Sequence, residues 1–341
     1  MESIGMERRI LLAHGSGGKL THSLIKDLFL KELKNPILEP LGDSATFEID
    51  RGRMAFTTDS YVVDPIFFPG GDIGRLAVCG TVNDLAMSGA RPLYLSASFV
   101  IEEGFLESDL RSILHSMIQA ADEAGAKIVC GDTKVVGRGS VDKIFITTSG
   151  VGLIPEGVDI TPLKIEVGDQ VIVSGCIGDH GMAVLGMRAG FEFSSEIISD
   201  VAPLNHLVAK MLAEAKDGVH ALRDPTRGGL ATTLNEFAQA SSLGIKIYED
   251  KIPVQDEVRG ACELLGLDPL YVANEGKLVA VTSKNSTQVL LTCMRKNTHG
   301  QKAEIIGEVT SGPRGIVSIT TRIGGTRIVD MLTGEQLPRI C

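Results

Sequence analysis

The sequence is poor in several features that define common protein classes. It contains no tryptophan, and aromatic residues make up only 4% of its 341 residues. It has no run of about 18 apolar residues, which excludes a membrane-spanning helix. The apolar stretch 10–13 is too short for a secretory signal. The six cysteines include no CxxC pair, so we expect neither a structural zinc site nor a redox dithiol.

Basic residues are also in deficit. The chain has 33 lysines and arginines against 43 aspartates and glutamates, which gives a formal net charge of −10. A nucleic-acid or anionic-membrane surface needs the opposite balance, so neither partner is expected. The hydrophobic fraction of 43% is typical of a globular protein, and the length predicts about two domains. Because the thiols are expected to be reduced, a cytoplasmic location is predicted.

The hydrophobic pattern predicts an α/β (α+β) protein with two domains. In the first half it indicates strands at 54–58, 93–100, 127–130 and 143–148, and helices at 72–87 and 108–124. Ser108 is the expected N-cap of the second helix, and Gly125 is its expected left-handed stop. The stretch 151–168 contains Pro155 and Pro162 and is the predicted domain boundary.

The second half repeats this alternation. Strands are predicted at 170–174, 245–248, 278–282, 304–309 and 326–330, and helices are predicted to begin at Asp179, Pro203, Arg227, Val254 and Ser286. After the last strand, Pro338 prevents a continuous helix. We therefore expect the end of the sequence to be a mobile, extended arm with Cys341 at its tip.

Several aspartates lie beside predicted strands. Asp43 follows a Leu-Gly pair, and Asp59 and Asp132 follow predicted strands. Ligands gather at the carboxyl ends of strands in α/β sheets, and carboxylates there can hold metal ions against phosphates. Each of these residues alone is equally typical of a turn. Asp84, beside Asn83, lies inside a helical pattern, where a buried carboxylate needs a cation or donors; a solvated helix face is the alternative.

Three glycine-rich stretches, 14–19, 178–181 and 223–229, are candidates for close backbone approach to a ligand. None has the spacing of a P-loop or of a dinucleotide-binding loop. Each stretch is also typical of a simple connection, so none identifies a ligand by itself.

The cysteines divide into three groups. Cys176 lies between a predicted strand and a glycine-rich loop and is ambiguous. Cys341 is either an accident of the terminus or a nucleophile carried by a mobile arm. The others are predicted to be small core residues: Cys79, Cys130, Cys262 and Cys293.

Together, in their order along the chain, the motifs resemble the HypE family of hydrogenase maturation proteins. That family belongs to the superfamily of aminoimidazole ribonucleotide synthetase, thiamine-phosphate kinase and selenophosphate synthetase. The resemblance covers essentially the whole chain. Its motifs are Gly42-Asp43-Ser44, Thr58-Asp59-Ser60, Val82-Asn83-Asp84-Leu85-Ala86, Gly131-Asp132-Thr133-Lys134, Asp224-Pro225-Thr226-Arg227-Gly228-Gly229 and Pro338-Arg339-Ile340-Cys341.

The resemblance implies a two-domain PurM-like ATP-binding fold with a flexible C-terminal tail. It also implies a homodimer formed by the N-terminal domains, with ATP near the subunit boundary. The implied division is a flexible glycine-rich segment at 1–40, an ATP-binding and dimerisation domain at 41–155, an α+β domain at 165–322 and a tail at 323–341.

The implied activity is ATP-dependent dehydration of a carbamoyl group. Cys341 would receive that group from a HypF-type carbamoyltransferase, and the resulting thiocarboxamide would become a thiocyanate. The cyano group would then pass to iron on a HypC–HypD complex, as a ligand for the [NiFe]-hydrogenase.

The resemblance also implies roles for individual residues. Cys341 is the acceptor, Lys134 neutralises charge during phosphoryl transfer, and Glu275 is the candidate base, although its Asn-Glu-Gly turn could simply cap a strand. The implied magnesium ligands are Asp43, Asp59, Asp84, Asp132 and Asp224. The implied ATP contacts are Gly15, Ser16, Gly17, Gly18, Lys19, Asn83, Thr133 and Lys134.

Two alternatives stay open. Another synthetase of the superfamily would share the nucleotide site, but selenophosphate synthetase is expected to carry Cys or selenocysteine in the glycine segment, and 14–18 contains no thiol. A purine-pathway synthetase would have no use for a terminal cysteine. The second alternative is a nucleotide-binding scaffold without turnover, which the retained Lys134 and aspartates disfavour.

Overall fold

Two β-sheets, one in each half of the chain, organise the fold. The computed structural model describes residues 18–29, 31, 39–49, 52–190, 197–332, 334, 337 and 339–341. Within these residues strands alternate with helices as the sequence predicts. None of their helices combines the length and the apolar character that crossing a bilayer requires.

The first sheet has the strand order β1-β2-β7-β5-β6. Only β5 and β6 are parallel; the other pairs are antiparallel. A hairpin of β3 (Phe67–Phe68) and β4 (Gly71–Asp72) precedes the first long helix. The sheet strands are β1 Ala45–Ile49, β2 Gly52–Tyr61, β5 Arg91–Glu102, β6 Lys127–Val136 and β7 Ile144–Ile154.

The second sheet has the order β14-β13-β10-β12-β8-β11-β9. Its strands are β8 Gln170–Val173, β9 Val219–Arg223, β10 Gly244–Tyr248, β11 Val279–Thr282, β12 Glu304–Thr310, β13 Val317–Thr320 and β14 Thr326–Val329. Strands β1, β9 and β13 were not predicted, and neither was the short hairpin of β3 and β4. Strand β9 matters most, since it leads directly into Asp224.

The helices are α1 Lys19–Leu24, α2 Ile73–Met87, α3 Glu107–Ala124, α4 Asp179–Ala189, α5 Asn205–Ala215, α6 Gly229–Ser241, α7 Asp256–Leu265 and α8 Thr287–Arg295. Gly125 ends α3 with a φ of 69°, as predicted. The predicted cap by Ser108 is wrong, because the helix begins at Glu107 and Leu106 holds the N-cap position. Asp72 caps α2, since its carboxylate accepts from the backbone N–H of Gly74 at 2.7 Å.

Helix α2 is buried between the two halves of the chain. Its residues Leu85 and Met87 belong to one apolar cluster with Leu207 and Met211 of α5. Inside this contact the Asn83 side chain donates to the carbonyls of Ala202 and Glu275 and accepts from the N–H of Leu204 at 2.8 Å. Both ends of the amide are therefore used by backbone groups of the second half, which fixes α2 against it.

Three strands run well beyond their predicted ends, and one of them is β7, which continues to Ile154 instead of ending at 148. Strand β2 continues to Tyr61, so Asp59 lies inside it, and β6 continues to Val136, so Asp132 lies inside that strand. Gly131 permits the continuation, because a Cβ there would come within 2.1 Å of the Ala97 carbonyl oxygen on β5. The glycine marks a close approach of two strands rather than a turn.

The prediction that four cysteines lie in the core is only partly right. Cys79 and Cys262 are buried, and Cys293 is half-buried. Cys130 is exposed, because it lies on β6, the edge strand of the first sheet. Strand β6 is exposed along nearly its whole length, which the apolar character of its sequence does not reveal.

The described end of the tail is docked, whereas the sequence predicts a mobile arm. Ile340 is only 3% exposed and belongs to the core of the first half. The backbone N–H of Val62 donates to the carbonyl of Cys341 at 3.1 Å, and that of Asp64 donates to the carbonyl of Arg339 at 3.2 Å. These bonds place the tail beside the end of β2 and hold it there.

Candidate active site

Four of the predicted aspartates converge where the two halves of the chain meet. Asp59 comes from β2 and Asp84 from α2, while Asp43 precedes β1 and Asp224 follows β9. The hydroxyl of Thr57 joins two of them, since it lies 2.8 Å from an Asp84 carboxylate oxygen and 3.1 Å from the Asp43 carbonyl oxygen. Residues separated by up to 181 positions of sequence thus form one acidic cluster.

The cluster is short of positive charge. Burial raises the pKa of Asp43 to about 6 and that of Asp224 to about 8, although Arg223 opposes both shifts. Burial also raises the pKa of Asp59, and it raises the pKa of Asp84 well above its usual range, where neighbouring carboxylates add to the effect. Carboxylates that repel one another in this way would ionise together only if a cation joined them.

Arg223 is a site residue that the motif analysis missed. Its Nε lies 2.8 Å from Asp43 Oδ1 and 2.9 Å from Glu236 Oε2. The other oxygen of Glu236 lies 2.9 Å from Nε2 of His22 in α1. This chain of contacts links the N-terminal segment to the acidic cluster. The signal in the sequence was an arginine directly before Asp224, at the end of a strand that was not predicted.

The thiol of Cys341 lies at the same cluster. Burial raises its pKa to about 12, Arg227 opposes this shift, and the nearby carboxylates of Glu275, Asp59 and Asp224 reinforce it. In the docked position the thiol is therefore protonated at neutral pH and is a poor nucleophile. The docked position of Cys341 therefore suits the reaction of a group that is already attached to sulfur. It is less suited to nucleophilic attack by the unmodified thiol.

Glu275, the candidate base, is a buried carboxyl group. Its side chain is 2% exposed, and Oε1 has no hydrogen-bond partner among the described residues. Burial raises the pKa of Glu275 well above its usual range, with a further contribution from Asp224, while Arg227 opposes the shift. The loop is held by its backbone, because the N–H of Glu275 donates to Asp200 at 3.0 Å and its carbonyl accepts from Asn83.

Other predicted site residues lie apart from this cluster. Asp132, Thr133 and Lys134 are on the exposed strand β6, three strands away from Asp59 across the sheet, or about 14 Å at the usual strand spacing. Lys134 Nζ lies 3.2 Å from Asp132, and this contact lowers the pKa of the carboxyl group. Within a single chain, Asp132, Thr133 and Lys134 therefore form a separate polar group on β6.

The glycine-rich segment is described only at its end. Gly15, Ser16 and Gly17 lie outside the described residues. Gly18 approaches the segment after β14, where a Cβ would come within 2.0 Å of the Leu332 carbonyl oxygen. Lys19 pairs with Asp330. Gly18 and Lys19 therefore lie beside the start of the tail.

No described group of three or more His, Cys, Asp or Glu side chains is arranged to hold a metal ion. The acidic cluster is nevertheless chemically suited to one, since carboxylate oxygens are the ligands that Mg²⁺ prefers. The mutual repulsion of Asp43, Asp59, Asp84 and Asp224 favours a cation among them.

Comparison with known proteins agrees with this arrangement. The N-terminal domain family of AIR synthase related proteins matches residues 41–154, and the corresponding C-terminal domain family matches 166–320. The carbamoyl dehydratase HypE of Bradyrhizobium diazoefficiens is 53% identical over 330 residues, which are 97% of this chain and 95% of that protein. The chain belongs to the HypE family. Its two domains have the PurM-like fold of that family.

Solved structures of HypE proteins extend the similarity to three dimensions. HypE in a complex with HypF is 49% identical, has a TM-score of 0.87, and covers 91% of this chain and 100% of its own. HypE in complex with ATP is also 49% identical, with a TM-score of 0.83 over 98% of this chain and 100% of its own. The fold therefore belongs to a family with a member solved in complex with ATP.

Proposed function

We propose that this protein is an ATP-dependent carbamoyl dehydratase that converts a thiocarboxamide on Cys341 to a thiocyanate and so supplies cyanide ligands for [NiFe]-hydrogenase iron. The observation that carries the proposal is the placement of the Cys341 thiol beside Glu275, Arg227 and the acidic cluster. Relatives about 50% identical over nearly the whole chain are named carbamoyl dehydratases. Alternatives in the same superfamily do not account for a thiol at this position.

The chemistry removes one oxygen atom and two protons from the group S–CO–NH2. The amide oxygen attacks the γ-phosphorus of ATP, ADP leaves, and one N–H proton is lost as an O-phosphorylated imidate forms. The second N–H proton then leaves while the C–O bond breaks and phosphate departs, which gives S–C≡N. Phosphorylation is needed because phosphate is a much better leaving group than hydroxide.

Glu275 is the residue that we propose takes a proton from the nitrogen. A base must be ionised to act, and the raised pKa of Glu275 means that its buried position disfavours the ionised form. Charge neutralisation at Asp224 and Asp59 would remove part of the repulsion that raises this pKa. Binding of the nucleotide with its cation would therefore also lower the pKa of Glu275 and favour its ionised form.

Magnesium is the cation that we propose for the acidic cluster, with Asp43, Asp59, Asp84 and Asp224 as its ligands. When bound, it would neutralise charge on the phosphates. Arg223 holds Asp43 in place, and Arg227 adds a positive charge near sulfur. The glycine-rich segment Gly15 to Lys19 would close over the triphosphate. Asn83 is occupied at both ends of its amide, so we leave it out of the nucleotide site.

A homodimer is proposed to complete the nucleotide site. Phe56 and Tyr94 are 43% and 51% exposed, while their neighbours Ala55 and Leu95 are buried under the helices. Because side chains alternate along strands, the opposite face of the first sheet is uncovered. A second copy on this face and on β6 would bring Asp132, Thr133 and Lys134 to the subunit boundary. Lys134 could there neutralise charge on the transferred phosphate.

The proposed partners follow from the chemistry of the tail. A HypF-type carbamoyltransferase is the proposed donor of the carbamoyl group, in keeping with a family member solved in complex with HypF. A HypC–HypD complex is the proposed acceptor of the cyano group. The described cysteines are all unpaired, which supports a reducing, cytoplasmic location.

The direct test is the mass of the tail peptide. Protein carbamoylated on Cys341 is expected to lose the mass of one water when MgATP is added, with the change in the C-terminal peptide and release of ADP and phosphate. The same protein with a non-hydrolysable ATP analogue is the control. An unchanged peptide mass in protein that binds ATP would instead favour a nucleotide-binding scaffold.

The magnesium assignment predicts a conditional effect of Asp84→Asn. The substitution removes one negative charge from the cluster but keeps the size of the side chain. We expect ATP binding to weaken about tenfold or more when magnesium is present, because a cation ligand is lost. Without magnesium the repulsion of the phosphates falls, so binding should be unchanged or tighter. Calorimetry with and without magnesium measures both arms, and equal weakening in both would contradict the assignment.

A further inference from the structure

The glycine-rich stretch 178–181 has no role in the chemistry described so far, yet it contains a fully buried histidine. His180 lies in the first turn of α4, and both of its ring nitrogens are bonded. Nε2 lies 2.7 Å from the carbonyl oxygen of Ile340, and Nδ1 lies 2.8 Å from the hydroxyl of Ser199. The ring also meets Phe68 edge-on, at 5.3 Å between centroids.

The hydrogen bonds define the form of the ring. A carbonyl oxygen only accepts, so Nε2 carries the hydrogen and donates it to Ile340. Burial lowers the pKa of His180, so the ring is neutral and Nδ1 accepts the hydroxyl hydrogen of Ser199. The ring is thus fixed in one tautomer, and it fixes the backbone directly before Cys341.

Asp200, next to Ser199, holds the loop that carries Glu275, the proposed base. Asp200 accepts the N–H of Glu275 at 3.0 Å, and its second oxygen lies 3.1 Å from Lys277 Nζ. The backbones of Asp200 and Gly276 also lie close together, because a Cβ on Gly276 would come within 1.7 Å of the Asp200 carbonyl oxygen. One short segment therefore holds the tail through Ser199 and the loop of Glu275 through Asp200.

The same segment is tied to the first half of the chain. The N–H of Ser199 donates to the carbonyl of Pro69 at 2.9 Å. Arg188, at the other end of α4, donates to the carbonyls of Asp64 and Arg339, both at 2.6 Å. At the described end of the tail, the carbonyls of Arg339, Ile340 and Cys341 thus each accept a hydrogen bond.

We propose that His180 is a positioning residue for the dehydration: it holds the Ile340 carbonyl so that the group on Cys341 sulfur lies against Glu275, with Ser199 and Asp200 as the common support of both. The inference rests on the proposed function. His180 touches neither ATP nor the reacting atoms. It sets the distance between the thiocarboxamide and its base, where small displacements have large effects on rate.

The first experiment measures tail docking without any turnover. Cys341 of the unmodified protein is alkylated with iodoacetamide, and the modified C-terminal peptide is quantified by mass spectrometry over time. His180→Ala is expected to speed alkylation of Cys341 at least tenfold, because the undocked thiol is exposed and ionises more readily. His180→Gln should stay close to the original protein, since the glutamine N–H2 group can take the place of Nε2–H.

The second experiment measures the reaction. Single-turnover loss of water is followed in protein carbamoylated beforehand, at saturating MgATP. His180→Ala is expected to slow this step at least tenfold with an unchanged KM for ATP, and His180→Gln is expected to recover most of the rate. His206→Ala is the matched control, because the ring of the exposed His206 also bonds a backbone carbonyl, but that of Glu123 in α3 instead of one in the tail.

The outcomes separate the two hypotheses. If the unaltered carbamoylated protein loses no water, the proposed function fails, and alkylation still tests docking. If His180→Ala alkylates and turns over like the original protein, or if His180→Gln is as impaired as His180→Ala, the positioning role is overturned. Should His180→Ala not fold, as judged by circular dichroism, Ser199→Ala replaces it, with faster Cys341 alkylation expected and unchanged alkylation contradicting the proposal.

Discussion

Replacing Cys341 with alanine is expected to abolish both carbamoylation and the later loss of water, while ATP binding is retained. Sulfur is the only atom of that side chain to which a carbamoyl group can attach. The acidic cluster that we propose for the nucleotide does not include Cys341. Mass spectrometry of the tail peptide after reaction with carbamoyl donor and MgATP measures the loss, and calorimetry measures ATP binding.

The matched control for this substitution is Cys293→Ser. Cys293 is also a half-buried thiol, but it lies on α8, away from the acidic cluster. The control protein should be carbamoylated and dehydrated as before. If Cys341→Ala protein is still carbamoylated, the acceptor is another residue, and Cys176, which is buried beside the second sheet, becomes the next candidate.

Glu275→Gln is expected to slow dehydration by roughly two to four orders of magnitude, which is the usual contribution of a general base. Glutamine has nearly the same shape but cannot accept the proton. The backbone bonds of Glu275 to Asp200 and Asn83 do not involve the side chain, so the loop should keep its position. Carbamoylation and ATP binding are therefore expected to be unchanged, and quenched single-turnover reactions measure the rate.

Glu308→Gln is the comparison variant for this second substitution. Glu308 is a carboxylate on β12 that accepts a hydrogen bond from Tyr248 at 2.7 Å and lies outside the acidic cluster. Its replacement should leave the dehydration rate as it was. A Glu275→Gln protein that forms thiocyanate at the original rate would show that the base is a different group.

The sequence predicted the secondary structure best where periodic patterns were long. Helix α3 and strand β5 are examples, with ends within about two residues of the prediction. Strand β9 was missed because Val219 is its only β-branched residue, so the segment does not stand out from a loop. The prediction ended β6 at 130, directly before Gly131, whereas this glycine lies inside the strand and allows the Ala97 carbonyl to approach.

The sequence did not reveal which of the predicted site residues lie together within one chain. Asp59 and Asp84, both predicted as site residues, lie in one cluster, whereas Asp132 and Lys134, which have equally suggestive neighbours, lie three strands away on the sheet edge. Arg223 was overlooked because a single arginine carries no motif, and its value comes from Asp43, 180 positions earlier, at 2.8 Å. No local pattern contains such a contact.

By itself, the sequence determined the chemistry that this protein can use: an excess of carboxylates, glycines where backbones approach, reduced thiols, and a cysteine at position 341. Only the tertiary structure decided that four aspartates share a cluster, that Cys341 docks beside Glu275, and that His180 supports the tail. The physical reason is that burial and Coulomb interaction depend on distances between residues far apart in sequence. A residue's type is local, whereas its pKa and its partners are properties of the fold.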